Sequence, residues 1–286
     1  MPTATSGRAS PAYFGPDSWP EGWFVNHRLL PSLQYSPTIR QMTAWTVLVW
    51  NMGMGSPSSR SDGTTWSRLS ELIDEWSVDL ALLNEASTSF LRDVDGAVYE
   101  GWGTRGRDRK PRDWSTAVLS RHGPTEIRDA QAVSYRERRP NVRFENSRPG
   151  SWIAASVQVP EVGDVTCVSL YGLTDELSEA SVHRSLSELS PLFSDPRYAE
   201  LLILGGDLNT STQWPKGRHL DGDVALLDRI EAYGLRDCLA RRRPAGRLVD
   251  CRCTLDECTH TMTRHDPNHP GLQVDYLFAS PTPPGR

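Results

Sequence analysis

From residue 44 onward, short apolar runs alternate with amphipathic stretches, a pattern that predicts interleaved strands and helices. Residues 44–50 and 201–204 are short apolar runs, and the first is rich in aromatic and β-branched residues. Such runs are typical of buried strands. The stretch after Thr64 instead has apolar residues that share one face at helical spacing, namely Trp66, Leu69, Leu72, Ile73 and Trp76.

The same pattern places elements along the whole chain and predicts its fold class. Strands are predicted at residues 44–50, 79–83, 114–121, 152–159, 165–170, 201–204, 259–264 and 273–278, and helices after Thr64 and at 176–193 and 223–233. Mixed strands and helices with hairpin neighbours indicate an α/β sandwich with mixed sheets. Residues 1–43 are rich in Pro, Ser, Gly and Trp, so we interpret them as an N-terminal extension, partly wrapped or flexible, before a domain at 44–286.

Composition narrows the class of protein. The 286 residues are 37% hydrophobic and 23% charged, and no run of about eighteen apolar residues predicts a membrane span. The first residues have no apolar core behind basic ones, so we expect no secretory signal and a cytoplasmic location. The five cysteines are an odd number, which argues against a disulfide framework.

Charge is distributed unevenly, although the net charge is only -5. Between Arg105 and Arg148 there are twelve basic and six acidic residues. A basic segment on an acidic body suits a polyanion such as nucleic acid, and a solvated Arg-rich loop is the alternative. The arginines at the start of this segment are the candidates for substrate binding: Arg105, Arg107, Arg109 and Arg112.

Polar residues with oxygen ligands stand at the ends of predicted strands. Asn51 ends the first strand, Glu85 follows the second, Asp207 and Asn209 follow residues 201–204 through a Gly pair, and Asp275 lies inside the last strand. Side chains converge on ligands at strand ends in α/β sheets. Carboxylate and amide oxygens suit Mg²⁺ or Mn²⁺ rather than soft metals.

Each of these residues also has a structural interpretation. Asp207 and Asn209 could form a turn or cap a helix, and Glu85 could pair with a surface Arg. Asp275 is harder to explain in this way, because burial of an unpaired carboxylate is costly.

The order of these motifs resembles the endonuclease/exonuclease/phosphatase superfamily. The resemblance covers residues 44–280, and Gly206-Asp207-Leu208-Asn209 after a four-residue apolar strand is its most specific part. The other segments that carry it are Trp50-Asn51, Leu83-Asn84-Glu85, residues 115–121, Tyr171-Gly172 and Val274-Asp275-Tyr276. The resemblance implies a four-layer α/β sandwich with its site at one end of two facing sheets.

The resemblance also implies roles for individual residues. Glu85 would be the principal metal ligand, with Asn51 beside it. Asp207 would orient and deprotonate the attacking water, Asn209 would position that water or the phosphate, and Tyr171 would hydrogen-bond a phosphate oxygen. Attack on a phosphate ester needs such an activated water, a cation and hydrogen-bond donors.

The last part of the family pattern differs here. In the family, a Ser-Asp-His segment and a last strand follow the Val-Asp-Tyr strand. Asp275 would support the histidine of that segment. No histidine follows Asp275, so we expect this histidine and an edge strand to be missing. His260, His265 and His269 lie upstream and could substitute, but we favour an exposed strand and loop for them.

A second group of residues could bind a soft metal. Cys251, Cys253, Cys258 and His260 fall within ten residues and could form a structural Zn²⁺ site. The spacing is not that of a standard zinc finger, so reduced thiols are the alternative and the interpretation we favour.

Three functions follow from the sequence. The first is a divalent-metal-dependent phosphodiesterase that hydrolyses nucleic acid by metal-assisted attack of water. The second is a phosphatase of a small phosphorylated metabolite or lipid headgroup, since a fold does not determine the substrate. The third is a catalytically impaired homologue that binds nucleic acid or a protein.

Overall fold

A computed structural model describes the chain at residues 24–29, 45–53, 64–101, 113–131, 141–160, 162–174, 177–213, 220–240, 260–261, 263–266 and 269–281. The helices are α1 (Thr64–Glu75), α2 (Thr88–Leu91), α3 (Ser178–Glu188), α4 (Ser190–Ser194), α5 (Pro196–Ala199) and α6 (Leu220–Ala232). The strands are β1 (Phe24–Leu29), β2 (Trp45–Asn51), β3 (Leu80–Ala86), β4 (Ala97–Gly101), β5 (Ser115–Ser120), β6 (Thr125–Glu126), β7 (Asp129–Gln131), β8 (Asn141–Arg143), β9 (Trp152–Val159), β10 (Gly163–Leu170), β11 (Leu202–Asp207), β12 (Arg236–Asp237), β13 (Arg264–Asp266), β14 (His269–Leu272) and β15 (Asp275–Ala279).

Two mixed sheets form the centre of the molecule. The first has the strand order β1-β2-β3-β5-β4 and the second β12-β15-β11-β10-β9-β6. In each sheet one pair is parallel, β2 with β3 and β10 with β11, and helical crossovers join both pairs. The remaining pairs are antiparallel, so the prediction of an α/β fold with mixed sheets is confirmed.

Three apolar clusters show how the layers pack. The cluster between the sheets joins side chains of β2 and β3, such as Val49 and Leu82, to side chains of β10 and β11, such as Cys167 and Ile203. A second cluster packs α1 against the outer face of the first sheet. A third packs α3, α4 and α6 against the outer face of the second. The result is four layers, with one helical layer outside each sheet.

Several described elements were not predicted, among them β1, and the predictions at 176–193 and 259–264 disagree with the structure. Strand β1 comes from the predicted extension and pairs with β2 at the edge of the first sheet. The helix predicted at 176–193 ends at Glu188, and a new helix with Pro191 in its first turn begins at Ser190. The strand predicted at 259–264 is wrong, because β13 begins at Arg264. The backbone N–H of Thr261 donates to the Gln273 side chain, and that of Thr263 donates to the Leu272 carbonyl. Neither Thr261 nor Thr263 lies in a strand.

Candidate active site

Four side chains from distant parts of the chain meet at one end of the two sheets. Asn51 ends β2, Glu85 lies near the end of β3, Tyr171 follows β10 and Asp207 ends β11. The Asn51 amide nitrogen donates to Asp207 Oδ2 at 2.7 Å and to Glu85 Oε1 at 3.3 Å. Tyr171 donates its hydroxyl to the same Glu85 oxygen at 2.5 Å. The folded chain therefore places two carboxylates, one amide and one phenol side by side.

Asp207 and Asp275 lie opposite each other on neighbouring strands. They are register partners in the antiparallel pair β11–β15, and both side chains are almost completely buried. Asp275 Oδ1 is buried and has no hydrogen-bond partner among the residues that the structure describes. A buried carboxylate without its full set of partners carries an uncompensated cost of desolvation.

Burial dominates the electrostatics of this carboxylate pair. It raises the pKa of Asp207 to about 6, and the negative charge of Glu85 adds to the effect, while hydrogen bonds from Asn51 and Asn209 oppose it. Burial also raises the pKa of Asp275 well above its usual value, and the charge of Asp207 adds to it. Carboxylates with raised pKa values in a polar cluster mark functional sites.

Two of the three non-glycine residues with a positive φ in the described part of the chain lie at the same place. Glu85 and Asn209 have φ angles of +50° and +49°, in the left-handed region that side chains other than glycine rarely adopt. Asn209 is held there by its backbone N–H, which donates to Asp207 Oδ1 at 2.8 Å, and by its side chain, which donates to the Gly172 carbonyl at 2.9 Å. Such strain persists only where surrounding contacts over-determine it, as is common at active sites.

Gly206 explains why a glycine pair precedes Asp207. Its φ is +146°, and a Cβ atom at this position would lie 1.9 Å from the Leu170 carbonyl oxygen and 2.8 Å from Asn84 Oδ1. A side chain is therefore excluded where β11 passes β10. The sequence predicted a close backbone approach here, and the structure identifies the neighbouring strand as the partner.

Sequence reasoning missed two residues that support the site. Asn84 is buried and its Oδ1 accepts the backbone N–H of Asp207 at 2.7 Å. Thr263 is buried too, and its hydroxyl oxygen accepts the backbone N–H groups of Val274 and Asp275 at 3.0 Å each. Asn84 stands in the Leu-Asn-Glu motif and could have been found there. Thr263 is twelve positions before Asp275, and no local pattern marks it.

One of the three upstream histidines differs from the interpretation that we favoured. His260 is not exposed, because its side chain is 5% accessible and its Nε2 lies 2.6 Å from the Thr212 hydroxyl. His265 and His269 lie in β13 and β14, but their side chains are outside what the structure describes. The contact with Thr212 connects the buried His260 to the loop that follows Asn209.

Several candidate residues lie outside the described parts of the chain. They are Arg105, Arg107, Arg109, Arg112, Cys251, Cys253 and Cys258. Substrate binding by these arginines and zinc binding by these cysteines with His260 stay predictions. Among the described residues, no three His, Cys, Asp or Glu side chains form a metal-binding group, and no helix is long and apolar enough to cross a membrane.

The residues of the site nevertheless fit a hard divalent cation. Glu85 and Asp207 both accept hydrogen bonds from the Asn51 amide nitrogen, so the two carboxylates lie on either side of one polar side chain. The pKa of Asp207 is raised mainly by burial and further by the negative charge of Glu85, and a bound cation would oppose both effects. Carboxylate and amide oxygens are the ligands that Mg²⁺ and Mn²⁺ prefer. Glu85 and Asn51 are the residues that would hold the cation.

Comparisons with known proteins point to one family. Residues 48–285 match the model of the "Endonuclease/Exonuclease/phosphatase family". No curated protein sequence matches the chain. Among solved structures, a humanized TDP2 of D. rerio is 15% identical with a TM-score of 0.50, and the match covers 85% of each chain.

Two further structures are similar over most of their length. The human Nocturnin catalytic domain is 15% identical with a TM-score of 0.47, and the match covers 91% of this chain and 85% of that one. The mannosyl-6-phosphatase Bt3783 of Bacteroides thetaiotaomicron is 15% identical with a TM-score of 0.46, covering 79% and 82%. At these identities a likeness concerns the fold alone.

Proposed function

We propose, from the premise that the chain belongs to the endonuclease/exonuclease/phosphatase family, that it is a divalent-metal-dependent phosphodiesterase acting on nucleic acid. Members of this family hydrolyse phosphoesters and generally depend on divalent metals. The observation that carries the proposal is the meeting of Asn51, Glu85, Tyr171 and Asp207 within hydrogen-bonding distance.

In this proposal each side chain has a separate task. A bound divalent cation would neutralise charge that develops on the phosphate. Glu85 and Asn51 would hold that cation. Asp207 accepts a proton from the attacking water, for which a pKa near 6 is suitable at neutral pH. Asn209 positions the water, and the Tyr171 hydroxyl hydrogen-bonds a non-bridging oxygen.

A nucleic-acid substrate is supported by the end of the basic segment. Arg148 begins a turn in which its carbonyl accepts the Ser151 N–H at 3.0 Å. The Ser151 carbonyl in turn accepts the backbone N–H of Tyr171 at 2.7 Å. The basic segment between Arg105 and Arg148 therefore ends near the site, where its positive charge would favour a polyanionic substrate. A cytoplasmic location is part of the same proposal.

The test is cleavage of DNA and RNA by the full chain with Mg²⁺ or Mn²⁺. We expect Asp207→Ala to lower the rate by about 10²–10⁴-fold, since general-base catalysis contributes on that scale. Glu85→Gln should raise the Mg²⁺ concentration needed for half-maximal activity. Asp164→Ala is the matched control, because Asp164 is an exposed carboxylate on β10 and lies outside the site.

The outcome separates the proposal from its alternatives. If nucleic acid stays intact with every metal tested while phosphate is released from sugar, inositol or nucleotide phosphates, the chain is a phosphatase. Metal-independent binding of nucleic acid without turnover would instead indicate a binding protein.

A further inference from the structure

Glu85 lies in a bulge of β3, where the strand departs from its regular pairing with β5. The register of this antiparallel pair shifts between Leu83 and Ala86, so β3 has one more residue than β5 over this stretch. Glu85 is in the bulge and has a φ of +50°. A bulge of this kind redirects a side chain and is common beside active sites. The orientation of Glu85 therefore depends on how the chain is held on both sides of the bulge.

The chain before Glu85 is fixed by buried contacts within and between the sheets. The Asn84 side-chain oxygen accepts the backbone N–H of Asp207 at 2.7 Å, which joins the first sheet to the second. The Asn84 carbonyl accepts the backbone N–H of Met52 at 2.8 Å. Asn84, Asp207 and Met52 are all buried. The N-terminal side of the bulge is therefore held by the core of the molecule.

The chain after Glu85 is held by an exposed carboxylate from a separate segment. Asp113 lies two residues before the start of β5. Its Oδ2 accepts the Ser87 hydroxyl at 2.5 Å and the Ser89 hydroxyl at 2.8 Å, and its Oδ1 accepts the Ser89 backbone N–H at 3.0 Å. One side chain thus holds two of the first four residues that follow Glu85.

Asp113 also replaces a local cap at the start of α2. Ser87 is the N-cap residue of this helix, but its side chain makes no capping bond and donates its hydroxyl to Asp113 instead. The first N–H groups of a helix need an acceptor from outside the helix. Asp113 is that acceptor for Ser89. Since α2 begins three residues after Glu85, a shift of this helix would be transmitted to the bulge.

We propose that Asp113 is a positioning residue that fixes Glu85 in the orientation in which it binds the divalent cation. This inference rests on the proposed function, in which Glu85 and Asn51 hold that cation. The Glu85 carboxylate accepts hydrogen bonds from Asn51 and Tyr171, so these donors define one orientation of its side chain. A left-handed φ persists only where surrounding contacts over-determine it. Asp113 supplies such contacts on the C-terminal side of Glu85.

The experiment measures Mn²⁺ binding by titration calorimetry for the unmodified full chain, Asp113→Ala and Asp113→Asn. We expect Asp113→Ala to bind Mn²⁺ about tenfold more weakly, the lower end of the usual effect of groups that orient a metal ligand. A larger loss is not expected, because the Ser115 hydroxyl still donates to the Ala86 carbonyl at 3.0 Å. Asp113→Asn should recover most of the affinity, since its amide oxygen can accept the Ser89 N–H.

Cleavage kinetics give a second readout that a merely structural role would not change. The Mg²⁺ concentration for half-maximal cleavage should rise in Asp113→Ala by the same factor as the Kd of Mn²⁺. At saturating Mg²⁺, kcat should remain within about threefold of the unmodified chain, because the variant changes binding of the cation and keeps the reacting groups.

Asp195 provides the matched control. It also caps a short helix from its N-terminal side, since its carboxylate accepts the Arg197 backbone N–H at the start of α5. However, α5 leads into the end of β11 opposite to Asp207. Asp195→Ala should lower stability and leave the Kd of Mn²⁺ within about twofold, because distant sites act independently. If it does not fold, Asp195→Asn takes its place. Equal weakening by the variants of Asp113 and Asp195 would overturn the positioning role.

The outcomes distinguish this inference from the proposed function. If Asp113→Ala binds Mn²⁺ within about threefold of the unmodified chain, less than the usual effect of an orienting group, the positioning role is overturned and the cleavage assay still decides the proposed function. If the unmodified chain cleaves no nucleic acid but Asp113→Ala binds Mn²⁺ about tenfold more weakly, the positioning role stands and the proposed function fails. No Mn²⁺ binding by the unmodified chain overturns the role of Asp113.

A second variant keeps the test decisive if Asp113→Ala does not fold. Ser89→Ala removes one of the three hydrogen bonds to Asp113 at an exposed position. It should bind Mn²⁺ more weakly than the control variant of Asp195. Equal binding by these two variants would overturn the role of Asp113.

Discussion

Asp195, Asp207 and Asp275 are all buried carboxylates, but the pKa of Asp195 is lowered and the pKa values of Asp207 and Asp275 are raised. Asp195 accepts hydrogen bonds from the backbone N–H groups of Gln131 and Arg197, and the Arg197 guanidinium binds it at 2.6 Å. The bond from Arg197 is the main reason why the pKa of Asp195 falls to about 2. At the candidate site, burial outweighs the hydrogen bonds and the pKa of both carboxyl groups rises.

The opposite pKa shifts distinguish a carboxylate that supports the fold from carboxylates that are available to bind a ligand. Asp195 joins β7 to the start of α5, and protein groups satisfy its charge. Asp275 instead keeps one buried oxygen without a partner in the described part of the chain. Buried carboxylates with raised pKa values are candidates for a functional role.

The largest effect that we expect from this comparison is on the pH dependence of hydrolysis. Asp207 accepts a proton only when ionised, so kcat/KM should fall about tenfold per pH unit below its pKa of about 6. With a midpoint at pH 6, the ionised fraction would fall about 50-fold between pH 6 and pH 4. Mg²⁺ should move the midpoint to lower pH, since a nearby cation favours the ionised form. A pH–rate profile measures both effects, and a rate that rises as the pH falls would show that Asp207 acts as an acid.

A smaller effect is expected on stability when the satisfied carboxylate is changed. The folded-state pKa of Asp195 lies below its unfolded value of about 4, so its ionisation stabilises the fold above pH 4. This contribution disappears as the pH falls from about 4 to about 2. Asp195→Asn should therefore lower the free energy of unfolding by about 2 kcal/mol at pH 7. Urea unfolding measures the change.

The control for this variant is Asp164→Asn, which alters an exposed carboxylate. It should have almost the same stability as the unmodified chain at pH 7. Asp195→Asn should approach the unmodified chain at low pH, where neither state of Asp195 is ionised. Equal stability of the two variants at pH 7 would remove the contrast between Asp195 and the site.

The smallest effect that we expect is a gain in stability when Asp275 is replaced. The raised pKa of Asp275 means that its ionisation costs stability once the pH exceeds the unfolded value of about 4. Asp275→Asn removes that cost, so we expect the free energy of unfolding at pH 7, measured in EDTA, to rise by roughly 0.5–2 kcal/mol. Activity should fall at the same time. A loss of stability like that of Asp195→Asn would show that Asp275 supports the fold.

The sequence predicted those elements that depend on neighbouring residues and missed those that depend on contacts between distant ones. Strand β9 was predicted with the bounds that the structure has, because its apolar pattern is local. The break between α3 and α4 was missed, although Pro191 marks it. The error at residues 259–264 has another cause, since Thr261 bonds the side chain of Gln273, and no local pattern encodes that contact.

The sequence by itself determined the order of elements, the alternation of buried strands with amphipathic helices, and the family to which the chain belongs. These depend on spacing and residue type, which are properties of neighbouring positions. Only the tertiary structure decided that Asn51 lies between Glu85 and Asp207 and that Asp275 lies opposite Asp207. Burial and charge depend on distances through space, and those distances exist only after two sheets from separate halves of the chain have packed together.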